Sequence, residues 1–231
     1  MRKISKISLV AAVAVAGFST ANAQPLEEAI KNVDVSGSVV YRYNNYDNQQ
    51  PTPSNQTETN NYKIGLNLSS KVNDYVKFNS RFLVGTKTDF ASLNSSKEAG
   101  KDNGDTEAGV SLSNAYFGFT AIPNTVVNVG KQGLTTPYTV AVDINGNEQN
   151  GTGILALSTF GPITAGAGYF NATNLQDSGN NGQIGNGVTA DHRNVIQNGY
   201  DMYVATVQGD LDFVKLEAWY AGMQNTFGSY T

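Results

Sequence analysis

Residues 130–153, GKQGLTTPYTVAVDINGNEQNGTG, join the end of a short alternating strand to a second apolar run at residues 154–157. The part between them, residues 133–152, is rich in Gly, Thr, Asn and Gln, shows no periodicity, and carries the carboxylates Asp143 and Glu148. Loops of this length are uncommon in compact domains and are usually functional. The segment therefore predicts a functional loop set between regular strands, and a plain surface loop remains the alternative.

Strands with a period of two lie on both sides of this loop. In the first strand one face is apolar and the other is polar, as the sets Val33, Val35, Val39, Tyr41, Tyr43 and Asp34, Ser36, Ser38, Arg42 show. Similar alternation runs near residues 62–69, 76–84, 110–120, 125–132, 201–208 and 211–221, while residues 153–159 and 163–170 are rich in Gly and Ala. Alternation of this kind is typical of β-strands that place one face against an apolar medium.

The links between these strands alternate in length. The long links are 44–61, 87–107, 133–152 and 171–200, and the short ones are 70–74, 121–124, 160–162 and 209–210. All long loops then lie at one end of an up-and-down meander, which is typical of an antiparallel transmembrane β-barrel of the porin type. A soluble sandwich also alternates, but its Greek-key connections rarely sort loop length by end.

The first 23 residues predict a secretory signal peptide. Arg2, Lys3 and Lys6 precede the apolar stretch 9–18, and Ala21 and Ala23 fit a small-residue cleavage pattern. The apolar stretch is too short for a membrane-spanning helix. Secretion across the bacterial inner membrane excludes cytoplasmic enzymes.

Composition narrows the remaining classes. Removing the three basic residues of the signal peptide leaves 12 basic and 19 acidic residues, a formal charge of −7, so the chain has no basic excess for nucleic acid. Cysteine is absent and His192 is the single histidine, which excludes disulfides, thiolate metal sites and histidine clusters. No mature segment has eighteen consecutive apolar residues, whereas barrel strands need only alternation.

Polar inward faces predict a water-filled lumen. If the apolar faces contact lipid, the inward faces carry Arg42, Lys63, Lys77, Arg81, Lys215 and Glu217. A loop 133–152 that folds inward would place Asp143 and Glu148 opposite these cations and narrow the passage, and opposed rows of charge are one way in which pores select ions. Lys131 is a further candidate for the lining, although it follows two lipid-side valines and needs a local twist to point inward. The alternative is a solvated face with no special pairing.

Several segments resemble one known family. PLEEAIKNVDVSGSVVYRY at residues 25–43 closely resembles the mature start of the major outer membrane porins of campylobacters and related bacteria, and the signal peptide ending in ANA resembles theirs. VGKQGL at 129–134 resembles the segment that leads into the constricting third loop of that family, and VDINGN at 142–147 with GTG at 151–153 resembles the rest of that loop.

The resemblance implies homotrimeric barrels in outer-membrane lipid that admit small hydrophilic solutes, with calcium at the constriction. It also places Asp143 at the position of a calcium-ligating aspartate. Carboxylate and carbonyl oxygens suit calcium, but residues 143–148 do not match an EF-hand, and a plain turn explains the same letters.

The number of readable strands is smaller than a porin needs. About nine or ten strands can be read, whereas porins with aqueous channels use 16–18. We therefore expect residues 24–231 to be the N-terminal part of a longer barrel, incomplete at its C-terminus. The alternative is a small barrel in which the last nine residues begin a tenth strand.

Three functions can be compared on this basis. The first is a general-diffusion porin that passes ions and small hydrophilic solutes and needs no cofactor. The second is a surface adhesin or structural barrel whose long external loops contact host or matrix. An enzyme is disfavoured, because no acid pair lies near an obvious cleft and no nucleophile–base set is visible.

Overall fold

The structure, a computed structural model, describes residues 32–47, 56–85, 90–93, 108–139, 141–142, 146–175, 201–224 and 227–231. The predicted signal peptide, Asp143 and His192 lie outside the described residues. No helix in the described part of the chain is long and apolar enough to cross a membrane.

The described residues form one antiparallel sheet in which strands adjacent in sequence are adjacent in space. The strands are β1 (Val33–Asp47), β2 (Gln56–Asn73), β3 (Val76–Gly85), β4 (Ala91–Ser92), β5 (Gly109–Phe119), β6 (Thr125–Gly133), β7 (Asn150–Phe160), β8 (Ile163–Thr173), β9 (Met202–Leu211), β10 (Val214–Met223) and β11 (Phe227–Tyr230). Ten of them follow the chain as β1-β2-β3-β5-β6-β7-β8-β9-β10-β11, and the two-residue β4 pairs with β2. The predicted all-β meander is confirmed.

Short turns join the strands at one end of the sheet. The connections at residues 74–75, 120–124, 161–162 and 212–213 lie at that end, and Asn124 and Asp212 adopt positive φ values of 56° and 47° in two of them. Asparagine and aspartate tolerate this conformation better than other side-chain-bearing residues. β1, β3, β6 and β8 all end at the opposite end of the sheet, where the long links begin, as the alternation of link lengths predicts.

Two short elements complete the sheet, of which the first was raised only as an alternative, a further strand in the last nine residues, and the second was not predicted. The C-terminal residues form β11, which pairs with β10 from Tyr220 opposite Tyr230 to Met223 opposite Phe227. The short β4 lies beside β2 beyond the end of β3, with Tyr62 opposite Ala91, and it places Phe90 close to the sheet. Neither element has enough alternating residues for a pattern to show.

The two faces of the sheet differ in chemistry. We call the face that carries the segment 134–149 the loop face, and the other the outer face. Pairing registers place on the outer face a set that is mostly apolar, namely Ile64, Leu66, Leu68, Phe78, Phe82, Phe117, Phe119, Val127, Val129, Ile154, Ala165, Ala167, Val207, Leu216 and Ala218. Such a face suits lipid.

The loop face is polar on one side and apolar on the other. On β2 and β3 it carries Lys63, Asn67, Asn79 and Arg81. On β8 to β10 it carries a buried cluster that includes Phe170 and Met202, both 0% exposed. On the same face β10 also carries Lys215 and Glu217, so the apolar cluster lies beside polar residues.

Glycines on β7 and β8 explain this apolar cluster. A Cβ atom added to Gly151 would lie 2.6 Å from the Phe170 ring, and one added to Gly168 would lie 3.0 Å from it. The Phe170 ring therefore occupies the space above both glycine backbones. The Gly-rich composition of these strands is what allows a large aromatic residue to pack on the loop face.

Candidate functional site: the loop face and the segment 134–149

The segment 134–149 leaves the sheet at the end of β6 and returns at the start of β7. Its base is held by backbone hydrogen bonds from Leu134 N to Gln149 O at 2.9 Å and from Gln149 N to Ala141 O at 3.2 Å. An isolated bridge pairs Val142 with Glu148. The two ends of the segment are thus fixed to each other.

An ion pair joins the returning half of the segment to β3. Nε of Arg81 donates to Oε1 of Glu148 at 2.7 Å, and the Arg81 and Glu148 side chains are only 21% and 12% exposed. Nη1 of Arg81 also donates to Oδ1 of Asn67 at 2.7 Å. A Cβ atom on Gly65 would lie 2.4 Å from the guanidinium, so this glycine provides the space that the Arg81 side chain occupies.

Polar groups from three other places complete the surroundings of Glu148. The hydroxyl of Ser113 donates to Oε2 of Glu148. Asn150 Nδ2 donates to the Glu148 carbonyl at 3.0 Å, and Asn174 Nδ2 donates to the same carbonyl at 2.7 Å. Both carboxylate oxygens of Glu148 are thus hydrogen-bonded, and its backbone carbonyl accepts two hydrogen bonds. This network holds Glu148 in one position.

The position of Ser113 depends on an irregularity in β5. The register between β3 and β5 shifts between Arg81, which is opposite Asn114, and Phe82, which is opposite Leu112. Ser113 is the extra residue of this bulge and is buried. A β-bulge can redirect a side chain in this way, and here it brings the hydroxyl to the loop.

A second contact joins the segment to β1 and β2. Nζ of Lys63 donates to the Gly146 carbonyl. Phe90 lies beside β1 and β2. Its ring centroid is 4.0 Å from the Arg42 guanidinium and 5.6 Å from the Lys63 ammonium. Gly146 has a φ of +85°, and a Cβ atom there would lie 2.7 Å from the same ring.

The outgoing half of the segment packs on the apolar part of the loop face. Leu134 is 2% exposed and belongs to the same buried cluster as Phe170 and Met202, with Tyr138 packed against it. The Thr139 hydroxyl donates to the Leu134 carbonyl at 2.7 Å, which closes this part into a compact turn. The segment therefore extends across the loop face, from β8–β10 on one side to β1–β3 on the other.

The structure brings together four of the predicted lining residues. Arg42, Lys63, Arg81 and Glu148 contact one another or Phe90 and Gly146. Glu148 binds Arg81 directly instead of facing it across a gap. Lys77 lies on the loop face opposite Gly118, exposed and four residues closer to the short turns, which separates it from Glu148.

Lys131 is placed differently from the prediction. The β5–β6 register pairs it with Ala115, two positions after the pairing of Val129 with Phe117, so Lys131 lies on the outer face. Its ammonium group donates to the Leu112 carbonyl at 2.6 Å. No register shift occurs between β5 and β6, so the twist that would turn Lys131 inward is not formed.

The predicted calcium site was compared with the acidic residues in the part of the chain that the structure describes. The described residues contain no group of three or more His, Cys, Asp or Glu side chains that could hold a metal ion. Both oxygens of the Glu148 carboxylate are hydrogen-bonded to Arg81 and Ser113. Calcium binding by Asp143, outside the described part, stays a prediction.

Sequence reasoning missed Ser113, Asn67, Asn150, Asn174 and Phe90. The amides and the serine lie among many similar residues in an Asn- and Ser-rich chain, so no local pattern distinguishes them. For Ser113 the position depends on the β5 bulge, which the sequence does not indicate.

Residues 1–230 match the model of a protein family described as Campylobacter major outer membrane protein. None of the curated protein sequences gives a significant match to the chain.

Solved structures with a similar fold come from Pseudomonas aeruginosa. OccK8 (OprE) matches with a TM-score of 0.59 at 17% identity, over 87% of this chain and 48% of that one. OccK9 (OpdG) matches with 0.59 at 13% identity, over 87% and 53%, and the outer membrane protein OpdK with 0.56 at 13% identity, over 85% and 50%. The chain thus spans about half the length of these structures, and the likeness shows the fold.

Proposed function

The chain belongs to the Campylobacter major outer membrane protein family, and we propose that it forms part of the wall of an outer-membrane pore for ions and small hydrophilic solutes. In this pore the loop face borders the water-filled lumen and the outer face contacts lipid. The segment 134–149 narrows the lumen. Its role is passive, since solutes move down their gradients and no reaction takes place.

The extension of the segment across the loop face is the observation that carries this proposal. Its outgoing half packs on Phe170 and Met202, and its returning half binds Arg81 through Glu148. A loop attached to two separate parts of one wall covers the space between them. Because the Arg81 pair is partly buried and Glu148 has further hydrogen-bond partners, the loop keeps this position without a ligand.

The charge of the proposed lining is mostly positive on β1–β3. Arg42, Lys63, Lys77 and Arg81 lie on the loop face there, and Glu148 neutralises Arg81 at short range. Fixed charges in a lumen of limited width act on passing ions more strongly than the same charges would at an open surface. The net effect of this wall is to favour anions locally.

Single-channel conductance in a planar bilayer tests the proposal. We expect the full-length protein to give stable ohmic steps, and Glu148→Gln to change their size, because the loop loses its ionic contact with Arg81. Lys131→Gln is the control, since Lys131 lies on the outer face, away from the proposed lumen. Folded, inserted protein that carries no current would refute the pore and favour the alternative role in surface contact.

Calcium binding at Asp143 is proposed from the family resemblance. A calcium titration of the thermal midpoint in detergent tests it, with Asp143→Ala compared with the unchanged protein. A midpoint that rises with calcium only when Asp143 is present supports the site. An equal rise in both proteins contradicts it.

Assembly as a homotrimer is likewise proposed from the family resemblance. Chemical cross-linking of the protein in outer-membrane vesicles, followed by mass measurement, tests it. A product of three chains is expected, and a product limited to single chains would overturn this proposal.

A further inference from the structure

A cavity lies in the loop face beneath the start of the segment 134–149. Its volume is about 390 Å³, and it is bordered by β7, β8, β9, β10 and residues 133–136. Side chains that define it include Leu157, Phe170, Val204, Thr206, Glu217 and Trp219. The volume lies in the range of small-molecule sites, which are usually concave and mostly apolar with a few polar groups.

The wall of the cavity is largely apolar for a structural reason. Gly166 lies on the loop face, and a Cβ atom there would be 2.5 Å from the Leu157 side chain and 3.2 Å from that of Thr206. Leu157 and Thr206 are therefore able to approach each other over the Gly166 backbone. This leaves an aliphatic surface that favours an apolar group over a hydrated ion.

One edge of the cavity carries a carboxylate beside an indole. Nε1 of Trp219 donates to Oε2 of Glu217 at 2.8 Å. This bond uses one acceptor position of the carboxylate and leaves the others available, because a carboxylate has about four lone-pair sites. Within the described part of the chain Glu217 forms no ion pair, and the ammonium of Lys215, two positions away, pairs with Asp210 at 3.1 Å.

We propose that this cavity binds an amphiphilic organic cation, with its apolar body against Leu157, Phe170 and Val204 and its ammonium group at Glu217 and Trp219. An ammonium group is attracted both by a carboxylate and by the face of an indole ring. An organic anion with the same apolar body is disfavoured, since it would bring a negative charge to Glu217. The charge of this site is opposite to that of the cationic wall on β1–β3.

The site depends on the proposed pore only because the lumen would give solutes access to it. Binding itself requires the cavity, Glu217 and Trp219, and it can be measured without current. The proposal therefore adds a property to passive diffusion: the pore would bind amphiphilic organic cations during their passage.

Tryptophan emission gives a direct test, because Trp219 is the only tryptophan among these 231 residues. The full-length protein in detergent is titrated with protonated 2-phenylethylamine, and in parallel with 3-phenylpropionate as the anionic probe. Trp219→Phe protein provides the background from other tryptophans and from partition into micelles. We expect a saturable change that requires Trp219 and favours the amine over the anion.

Two variants locate the charge that recognises the amine. Glu217→Gln should weaken amine binding about fivefold, as expected for one partly screened ion pair, and should remove the preference over the anion. Asp210→Asn is the matched control on the same wall, since its carboxylate is already paired with Lys215, and we expect it to leave the amine affinity unchanged. Equal binding of the two probes, or amine affinity unaffected by Glu217→Gln, would overturn the proposal.

The outcome separates this site from the pore. Amine binding by a protein that carries no current would refute the pore and support the site. Current without any Trp219-dependent binding would support the pore and refute the site.

Discussion

Arg81 on β3 and Glu148 in the segment 134–149 form a 2.7 Å ion pair although 67 positions separate them in the chain. The Arg81 guanidinium lies over the Gly65 backbone and also binds Asn67, while Ser113 holds the second carboxylate oxygen of Glu148. Contributions from three strands thus converge on one loop carboxylate. The ion pair therefore links the position of the loop to the stability of the sheet.

Neutralising Glu148 should destabilise the protein more than neutralising an exposed acid. Glu148→Gln leaves the Arg81 charge partly buried without its partner, and the loss of a hydrogen bond to a charged group costs about 1.5–3 kcal/mol. Thermal unfolding in detergent, followed by circular dichroism, measures this change. Asp210→Asn, at the exposed pair with Lys215, should cost less than about 1 kcal/mol. If Glu148→Gln and Asp210→Asn lower the free energy of unfolding equally, the Arg81–Glu148 pair stabilises the protein no more than an exposed ion pair does.

The coupling between Arg81 and Glu148 can be isolated with a double-mutant cycle. Arg81→Gln combined with Glu148→Gln should cost less than the sum of the two single changes, because neither charge remains unmatched. For residues in direct contact the difference is about 0.5–3 kcal/mol. Strictly additive costs would mean that the two side chains do not interact in the folded protein.

Lys63 and Lys131 should differ in their effect on ion selectivity. Lys63 lies on the loop face and binds the Gly146 carbonyl, whereas Lys131 lies on the outer face beside Val127 and Val129. Removing a positive charge from the lumen wall raises the relative permeability to cations. Reversal potentials in a salt gradient should therefore shift toward cations for Lys63→Gln and stay unchanged for Lys131→Gln. A shift with Lys131→Gln alone would place the lumen on the other face of the sheet.

Gly146 should tolerate alanine poorly. Its φ of +85° is unfavourable for residues with a side chain, and an added Cβ atom would lie 2.7 Å from the Phe90 ring. Strain of this kind costs about 1–3 kcal/mol. Gly133 is the matched control at the other end of the segment, since nothing lies within 4 Å of a Cβ atom added there. We expect Gly146→Ala, but not Gly133→Ala, to lower the thermal midpoint, and a similar response of both variants would exclude this reason.

The sheet could be predicted from the sequence because the outer face has a clear period of two. Val33, Val35 and Val39 in β1 and Ile64, Leu66 and Leu68 in β2 alternate with polar residues, and the links between strands alternate in length. Each of these patterns can be recognised from neighbouring residues in the sequence, without knowledge of distant contacts. β4 and β11 are too short to show any period.

The partners within the site could not be predicted for the opposite reason. Which cation would meet Glu148 depends on the register of β3 and on the bulge at Ser113, and neither leaves a mark in the nearby sequence. Strict alternation did place Lys131 on the lipid side, and the structure follows that alternation. The apolar cluster at Phe170 was hidden because glycine in a strand can mean either a bend or a space for a neighbouring ring.

Phe170 should be the residue on which the outgoing half of the loop depends most. It is 0% exposed, lies over Gly151 and Gly168, and belongs to the cluster that holds Leu134. Phe170→Ala removes the ring and leaves a cavity, which typically costs about 3–5 kcal/mol. Because Leu134 loses its packing partner, we also expect the loop to move and the current steps to become noisier in the planar bilayer. Phe160→Ala is the control, since Phe160 is 63% exposed and its removal should leave both stability and current almost unchanged. Phe170→Ala could instead lower stability and leave the size and noise of the current steps unchanged. In that case the contact with Arg81 alone holds the loop, and the apolar cluster stabilises the sheet but not the constriction.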